Sequence, residues 1–591
     1  MMTKPASKAS YLARHTAVTL AAALFLTAAA ALRAEGPPIA ESLSSASPVP
    51  GTLFICGGGK VPDDALEQFV ELAGGHSAHL VIVTTASETA DTAEVETRLD
   101  FWRKQRPAEL TILHTRDRHV ADDPRFAAPL ETATGVWFIG GHQQRLTDAY
   151  LGTRTEKAIK GVLKRGGVVG GTSAGAAIMS QLMIVGGAKP PELGLGFGFL
   201  PGTLVDQHFI KRKRQERLLQ TLTEYPKLVG IGIDENMALV VHGRKLSVRG
   251  ESKESAGYTG QGVVVYLPPV GERPAIARTL LEGMEADILA LQRAALARLH
   301  PRYNFDGEKS KPESSPGTLI VAGGGDVHED AAEKFIDAAG GPDATLVVVT
   351  TANGDKPSLD AKSVSWLAEA GAKNIHFVHP RNRTEAEDPA LLDLLHKAGG
   401  VWFIGGRQWR LVDVFEGTSA EKEFHAVLAR GGAVGGNGGG ASMLADYLVR
   451  GNPLSNQDIM APGYEDGFGF VKGVAIDPFF TKRKRFADMA RLKREHPRLV
   501  GLGIDEETAL VIKDNVIDVV GKHHVVVYDR DQPDEADERF EFLFGGDRYD
   551  LASRSRLGPP RTDSADPPVV VAATSEDSED PEPQPPQACD E

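Results

Sequence analysis

The stretch Gly167–Ser180, GVVGGTSAGAAIMS, passes from a β-branched apolar run through paired glycines to Ser173 and then into small residues that read as the start of a helix. A short apolar run ending in glycine and followed by helix is one βα step of a parallel sheet. The chain writes the step again at Gly432–Ala445, GAVGGNGGGASMLA, where Ser173 has become Gly438. The surrounding segments repeat as well. GTLFICGGG (Gly51–Gly59) returns as GTLIVAGGG (Gly317–Gly325), and GVWFIGGHQQRLTD (Gly135–Asp148) returns as GVWFIGGRQWRLVD (Gly400–Asp413). LVGIGIDENMALVV (Leu228–Val241) returns as LVGLGIDEETALVI (Leu499–Ile512). A repeat of this length predicts two tandem α/β domains, 51–268 and 317–529, each a mostly parallel sheet flanked by helices. Between them, 269–316 reads as a helical segment, Ile276–Leu299, followed by a Pro/Ser/Lys-rich linker.

The ends of the 591-residue chain read differently. Lys4, Lys8 and Arg14 precede an apolar run, Ala17–Leu32, and small residues precede the charged RAEG, so 1–34 has the layout of a secretory signal peptide. An uncleaved anchor is the alternative, and export is the expectation in either case. The formal net charge is −15, but much of it belongs to an acidic, Pro-rich tail, 530–591, which is expected to be disordered. No broad basic face predicts a nucleic-acid partner. Beyond the leader no segment has the length of a membrane span. The two cysteines, Cys56 and Cys589, support neither a disulfide framework nor a Cys-based metal site, and no metal or organic cofactor is implied.

Gly171-Thr172-Ser173-Ala174-Gly175 fits G-x-S-x-G between strand and helix, where a tight turn projects a hydroxyl and leaves the Ala174 N–H placed for an oxyanion. A helix start in which Ser173 only caps fits the five residues equally well. A nucleophilic serine needs a base, and His208 in VDQHFIKRKRQERL (Val205–Leu218) is the candidate. In α/β-hydrolases the histidine comes last, after an intervening acid, so this short Ser-to-His interval argues for a different fold. The second copy decides between the readings. There His208 corresponds to Phe479, so hydroxyl and imidazole are lost together while the scaffold glycines and GIDE remain. The first copy therefore reads as active and the second as a pseudoenzyme.

GTSAGA, DQHF followed by spaced arginines, and GIGIDE together resemble the cyanophycinase family, serine exopeptidases related to aspartyl dipeptidase (peptidase E), with a fold similar to class I glutamine amidotransferases. The resemblance covers both repeats. It implies hydrolysis of multi-L-arginyl-poly-L-aspartate, cyanophycin, to β-aspartyl-arginine dipeptides, with Ser173 as nucleophile, His208 as base, and Ala174 and Gly141 around the oxyanion. It also implies substrate binding by Gln143, Asp206, Gln207, Arg212, Arg214 and Arg217. Arginine suits the task, since its planar fork grips carboxylates bidentately. The three arginines cannot share one helical face, so part of their segment is expected to be irregular.

The resemblance places a triad acid between serine and histidine, where Glu192 is the one carboxylate; Asp206 is the alternative orienting group. His142 stands where the family usually has Asp. The second copy keeps Gln408, Asp477, Arg483 and Arg485 but has Pro478 and Asp488 for Gln207 and Arg217. The expected partner is a peptide polymer, with the second copy serving as a built-in dimer partner. The alternatives are an isoaspartyl dipeptidase and, in another class, an inactive secreted peptide-binding protein.

Overall fold

The computed structural model describes residues 48–250, 262–299, 312–354, 362–529 and 540–558. The leader, the lysine-rich linker and the acidic end of the tail lie outside them. In the first copy five strands run parallel in the order Val49–Cys56, Val168–Thr172, Gly135–Phe138, His79–Val83 and Glu109–Leu113. Their near-continuous Val, Ile, Leu and Phe content suits strands covered on both faces. Phe54, Phe69, Trp102 and Trp137 meet edge-on or tilted on one side, with adjacent ring centroids 5.1–5.7 Å apart.

Three antiparallel strands, Ala238–Gly243, Lys245–Arg249 and Glu285–Asp287, extend the sheet on the Val49–Cys56 side. A second sheet carries Thr203–Gln207 parallel to Val229–Ile233, then Val263–Leu267 and Ile276–Leu280 antiparallel. The second copy repeats both sheets, with Ala433–Asn437 and Val471–Pro478 in the places of Val168–Thr172 and Thr203–Gln207. The α/β architecture is thus the expected one, each main sheet carrying antiparallel strands beside its parallel core.

Three expected boundaries move. Ile276–Leu299 is not one helix: Ile276–Leu280 is a strand, Gly283 turns at φ 81°, and only Ile288–Leu299 is helical. The first unit therefore continues beyond 268, because its edge strand is Glu285–Asp287. The segment 540–558, expected to be disordered, supplies the strands Glu541–Phe544, Arg548–Asp550 and Ser555–Leu557 to the second copy. Its apolar Phe540, Phe542 and Leu543 were hidden by the acidic composition around them.

The helix Ile288–Leu299 also joins the copies. Arg293, 3% exposed, donates to Glu416 at 2.6 Å and to the carbonyl of Gly463 at 2.6 Å, and lies over the Tyr464 ring. No helix among the described residues is long and apolar enough to cross a membrane.

Candidate active site

Ser173, His208 and Glu235 follow the carboxyl ends of three strands, Val168–Thr172, Thr203–Gln207 and Val229–Ile233. The latter two are parallel neighbours in register, Gln207 opposite Ile233, so the residues just past their ends are brought together. This is where ligands collect in α/β sheets. Ser173 Oγ lies 2.9 Å from His208 Nε2, and His208 Nδ1 lies 2.7 Å from Glu235 Oε1. With the proton on Nδ1 donated to the carboxylate, Nε2 accepts from the serine hydroxyl, the arrangement a general base needs.

The backbone is strained where these side chains leave it. Ser173 has φ 54° and ψ −103°, and His208 has φ 49°. Neighbouring groups hold both conformations. The Ser173 N–H donates to Cys56 at 3.0 Å and the His208 N–H to Gly57 at 2.7 Å, both carbonyls at the end of the central strand. A Cβ on Gly58 would stand 2.2 Å from the imidazole, so only glycine admits the ring there. Gly171 and Gly175 pack backbone to backbone, which closes the turn tightly enough to lift Ser173 off the sheet. Asp234 then accepts the N–H groups of Ile210 and Lys211, at 3.1 and 2.9 Å, and fixes the turn that follows His208.

Ala174 opens the helix Ala174–Ala177, so its N–H has no acceptor within that helix. Gly140 packs against Ser173 from the end of Gly135–Phe138, and Gly141, at φ 149°, follows it. Ala174 and Gly140 thus adjoin the nucleophile, while Gly141 packs on the Ala86 and Ser87 backbone. His208 is held below the usual imidazole range first by burial and then by the Arg212 and Arg214 charges, against the opposing pull of Glu235. A neutral imidazole near neutral pH is the form that can accept a proton.

Glu192 does not orient His208. It lies exposed in the strand Glu192–Leu195, paired antiparallel with Leu182–Gly186, and the carboxylate on the imidazole belongs to Glu235. Asp206 is not an orienting group either. Fully buried, it takes a bidentate contact from Arg217 through Nε, at 2.7 Å, and Nη2, and it pairs with Arg214 at 3.4 Å. Arg214 also donates to the Gln207 carbonyl at 2.7 Å, and burial pushes its guanidinium down to about 10.

Arg217, Arg214 and Asp206 are therefore satisfied by one another and by the Gln207 and Gly187 carbonyls. Gln143 is likewise engaged, donating to the carbonyls of Ile184 and Val185 at 3.0 and 2.7 Å. Arg212 is exposed, whereas Gln207 is buried, 4% exposed, with no hydrogen-bond partner on Oε1. The arginines divide as expected, with Arg212 and Lys213 in an irregular turn and Arg217 in the helix Gln215–Glu224. His142 pairs with Glu88 at 3.1 Å.

The family model for peptidase family S51 matches residues 53–249 and again 319–520. The chain belongs to peptidase family S51. Cyanophycinase from Geminocystis herdmanii is 34% identical over 185 residues, 30% of this chain and 68% of that protein. The cyanophycinases of Synechococcus elongatus and Trichormus variabilis are 34% and 32% identical, with 55% and 62% of their lengths covered. A peptidase structure from an acI-B1 Actinobacterium is similar at 22% identity, covering 40% of this chain and 96% of that one, with a TM-score of 0.31.

Glu235 was within reach of sequence reasoning: GIDE recurs in both copies and ends a strand. It lies beyond His208, outside the interval between serine and histidine in which the acid is sought, and GIDE reads as scaffold because both copies keep it. In the second copy Glu506 has another task, taking Lys482 at 2.8 Å.

Proposed function

We propose that the chain is an exported serine exopeptidase that hydrolyses cyanophycin to β-aspartyl-arginine dipeptides in its first copy. The observation that carries the catalytic part is the continuous Ser173–His208–Glu235 relay. Ser173 Oγ attacks the scissile carbonyl while His208 Nε2 takes its proton, and Glu235 stabilises the imidazolium that forms. The Ala174 N–H and the Gly140–Gly141 loop face the developing oxyanion. The imidazolium then protonates the leaving amine, and a water activated by the same nitrogen releases the acyl group.

Cyanophycin supports this substrate reading through its chemistry. Each branch offers a carboxylate, suited to exposed Arg212. We assign the second copy a scaffold role as a pseudoenzyme, since Gly438 and Phe479 supply neither nucleophile nor base. Its contacts with the helix Ile288–Leu299 make it a covalently tethered dimer partner. The leader at 1–34 supports export.

The test is release of β-aspartyl-arginine from purified cyanophycin by the mature chain. Hydrolysis of short isoaspartyl peptides without attack on the polymer would move the assignment to an isoaspartyl dipeptidase, and failure on both would leave a binding protein.

A further inference from the structure

The helix that opens after the oxyanion loop exists in both copies, and in the second it holds an arginine. Asp413, on Gln408–Phe415, accepts from Arg244 Nη1 at 2.6 Å. The same guanidinium lies 4.2 Å from the centroid of Trp409, one turn earlier, and donates to Tyr464 Oη at 2.9 Å. Arg244 comes from the first copy, from the turn between Ala238–Gly243 and Lys245–Arg249. A carboxylate and a ring at i and i−4 thus form a guanidinium seat.

The repeat places Asp148 and Gln144 at the same positions of the first-copy helix Gln143–Tyr150. There, with His142, Gln143, Arg145 and Val185, they line a cavity of about 230 Å³. The cavity lining begins at His142, the residue after Gly141. Its other charges are occupied: His142 and Arg145 both face Glu88, at 3.1 and 3.5 Å, and Arg145 also reaches the Ala86 carbonyl. Asp148 has no ion pair within 4 Å among the described residues, with Arg118 the nearby cation, and burial raises its carboxyl above the usual range. An exposed carboxylate with no ion pair is what remains when the seat is kept and the arginine is absent.

We propose that Asp148 is a specificity residue that seats the guanidinium of an arginine-containing substrate in the cavity beside the Gly140–Gly141 loop. The identity of that substrate rests on the cyanophycin reading; the seat itself rests on the second copy's hold, through Asp413 and Trp409, on Arg244 of the first. Charge-assisted hydrogen bonds of this kind are worth about tenfold or more in affinity.

Binding of β-aspartyl-arginine and β-aspartyl-alanine to full-length Ser173→Ala protein, measured by calorimetry, tests the seat with hydrolysis removed. The arginine peptide is expected to bind about tenfold more tightly. Adding Asp148→Asn should erase that difference, and adding Gln144→Trp, which supplies the ring found at Trp409, should widen it about threefold. Equal affinity for the two peptides, no affinity for either, or a preference that survives Asp148→Asn overturns the proposal. Polymer hydrolysis by the chain with Ser173 intact separates the two claims. An arginine preference without attack on cyanophycin keeps the seat and removes the substrate, whereas attack on cyanophycin with an Asp148-independent preference does the reverse. If Asp148→Asn instead abolishes a concentration-dependent self-association and leaves peptide binding unmoved, the carboxylate serves an arginine of a second copy and the subsite is lost.

Discussion

Ser173 and Gly438 leave their strands with nearly the same torsions, φ 54° and ψ −103° against φ 52° and ψ −125°. His208 and Phe479 match as closely, at φ 49° and 57°. Phe479 even lies against Gly324 as His208 lies against Gly58. A phenylalanine held in the left-handed region costs on the order of 1–3 kcal/mol, and the second copy bears that cost with no reaction to catalyse. The strained elbow is therefore a property of how strand, glycine loop and turn close over one another. Strain locates the site in both copies, and only the side chains say whether it works.

The pocket walls teach a related lesson. Asp206 is gripped by Arg217 in the first copy, and Asp477 by Arg450 in the second. Arg450 stands at the position of Val185, and Asp488, at the position of Arg217, takes its free side at 2.7 Å. The buried carboxylate kept a guanidinium although the sequence moved it from the position of Arg217 to that of Val185. An uncompensated buried charge costs several kcal/mol, so the retained carboxylate requires an arginine from one position or the other. The exchange places a buried arginine where the first copy has Val185 at its cavity.

The comparison breaks most sharply at the nucleophile. Ser173→Ala is expected to lower hydrolysis by about 10⁴-fold or more, whereas Gly438→Ser leaves it unchanged, both read as product release per folded protein. Gly438→Ser combined with Phe479→His in a Ser173→Ala background should still give no activity, because Glu506 is held by Lys482 and Arg450 occupies the wall. Turnover from that triple variant would show that the second copy lost its site by two substitutions alone.

The acid comes next. Glu235→Gln should lower kcat by roughly 10²–10⁴-fold through loss of the imidazole's orienting partner, with Glu192→Gln without effect. The reverse result would return the triad to the loop position first expected. Glu235 and the boundaries show where sequence reading stopped. Periodicity and the repeat made the parallel sheet legible, and Ser173 and His208 emerged from the internal comparison. What stayed hidden depended on which strands are neighbours: that Thr203–Gln207 lies beside Val229–Ile233, that Asp206 spends Arg217 inside the wall, and that apolar residues within an acidic tail complete the second copy's sheets.

A smaller effect concerns the joint between the copies. Arg293→Ala removes the buried ion pair with Glu416 and the donation to the Gly463 carbonyl, at a cost of about 3 kcal/mol. It should lower the denaturant midpoint and separate one unfolding transition into two. A single transition at the parental midpoint would mean that the copies are joined by chain connectivity more than by this contact.

The smallest expected effect concerns pH and sharpens the electrostatic side of the comparison. Arg212 lowers His208, while its counterpart Arg483 lies 4.6 Å over the Phe479 ring, where nothing titrates. The active base is neutral His208, so activity falls as pH drops through its pKa. Removing a positive charge beside an imidazole makes protonation easier and raises that pKa. Arg212→Gln should therefore move the acid limb of kcat/KM toward higher pH, by about half a unit, and the shift should shrink in high salt because Arg212 is exposed. A limb that moves to lower pH, or stays fixed while KM alone rises, would leave Arg212 a substrate contact with no hold on the base.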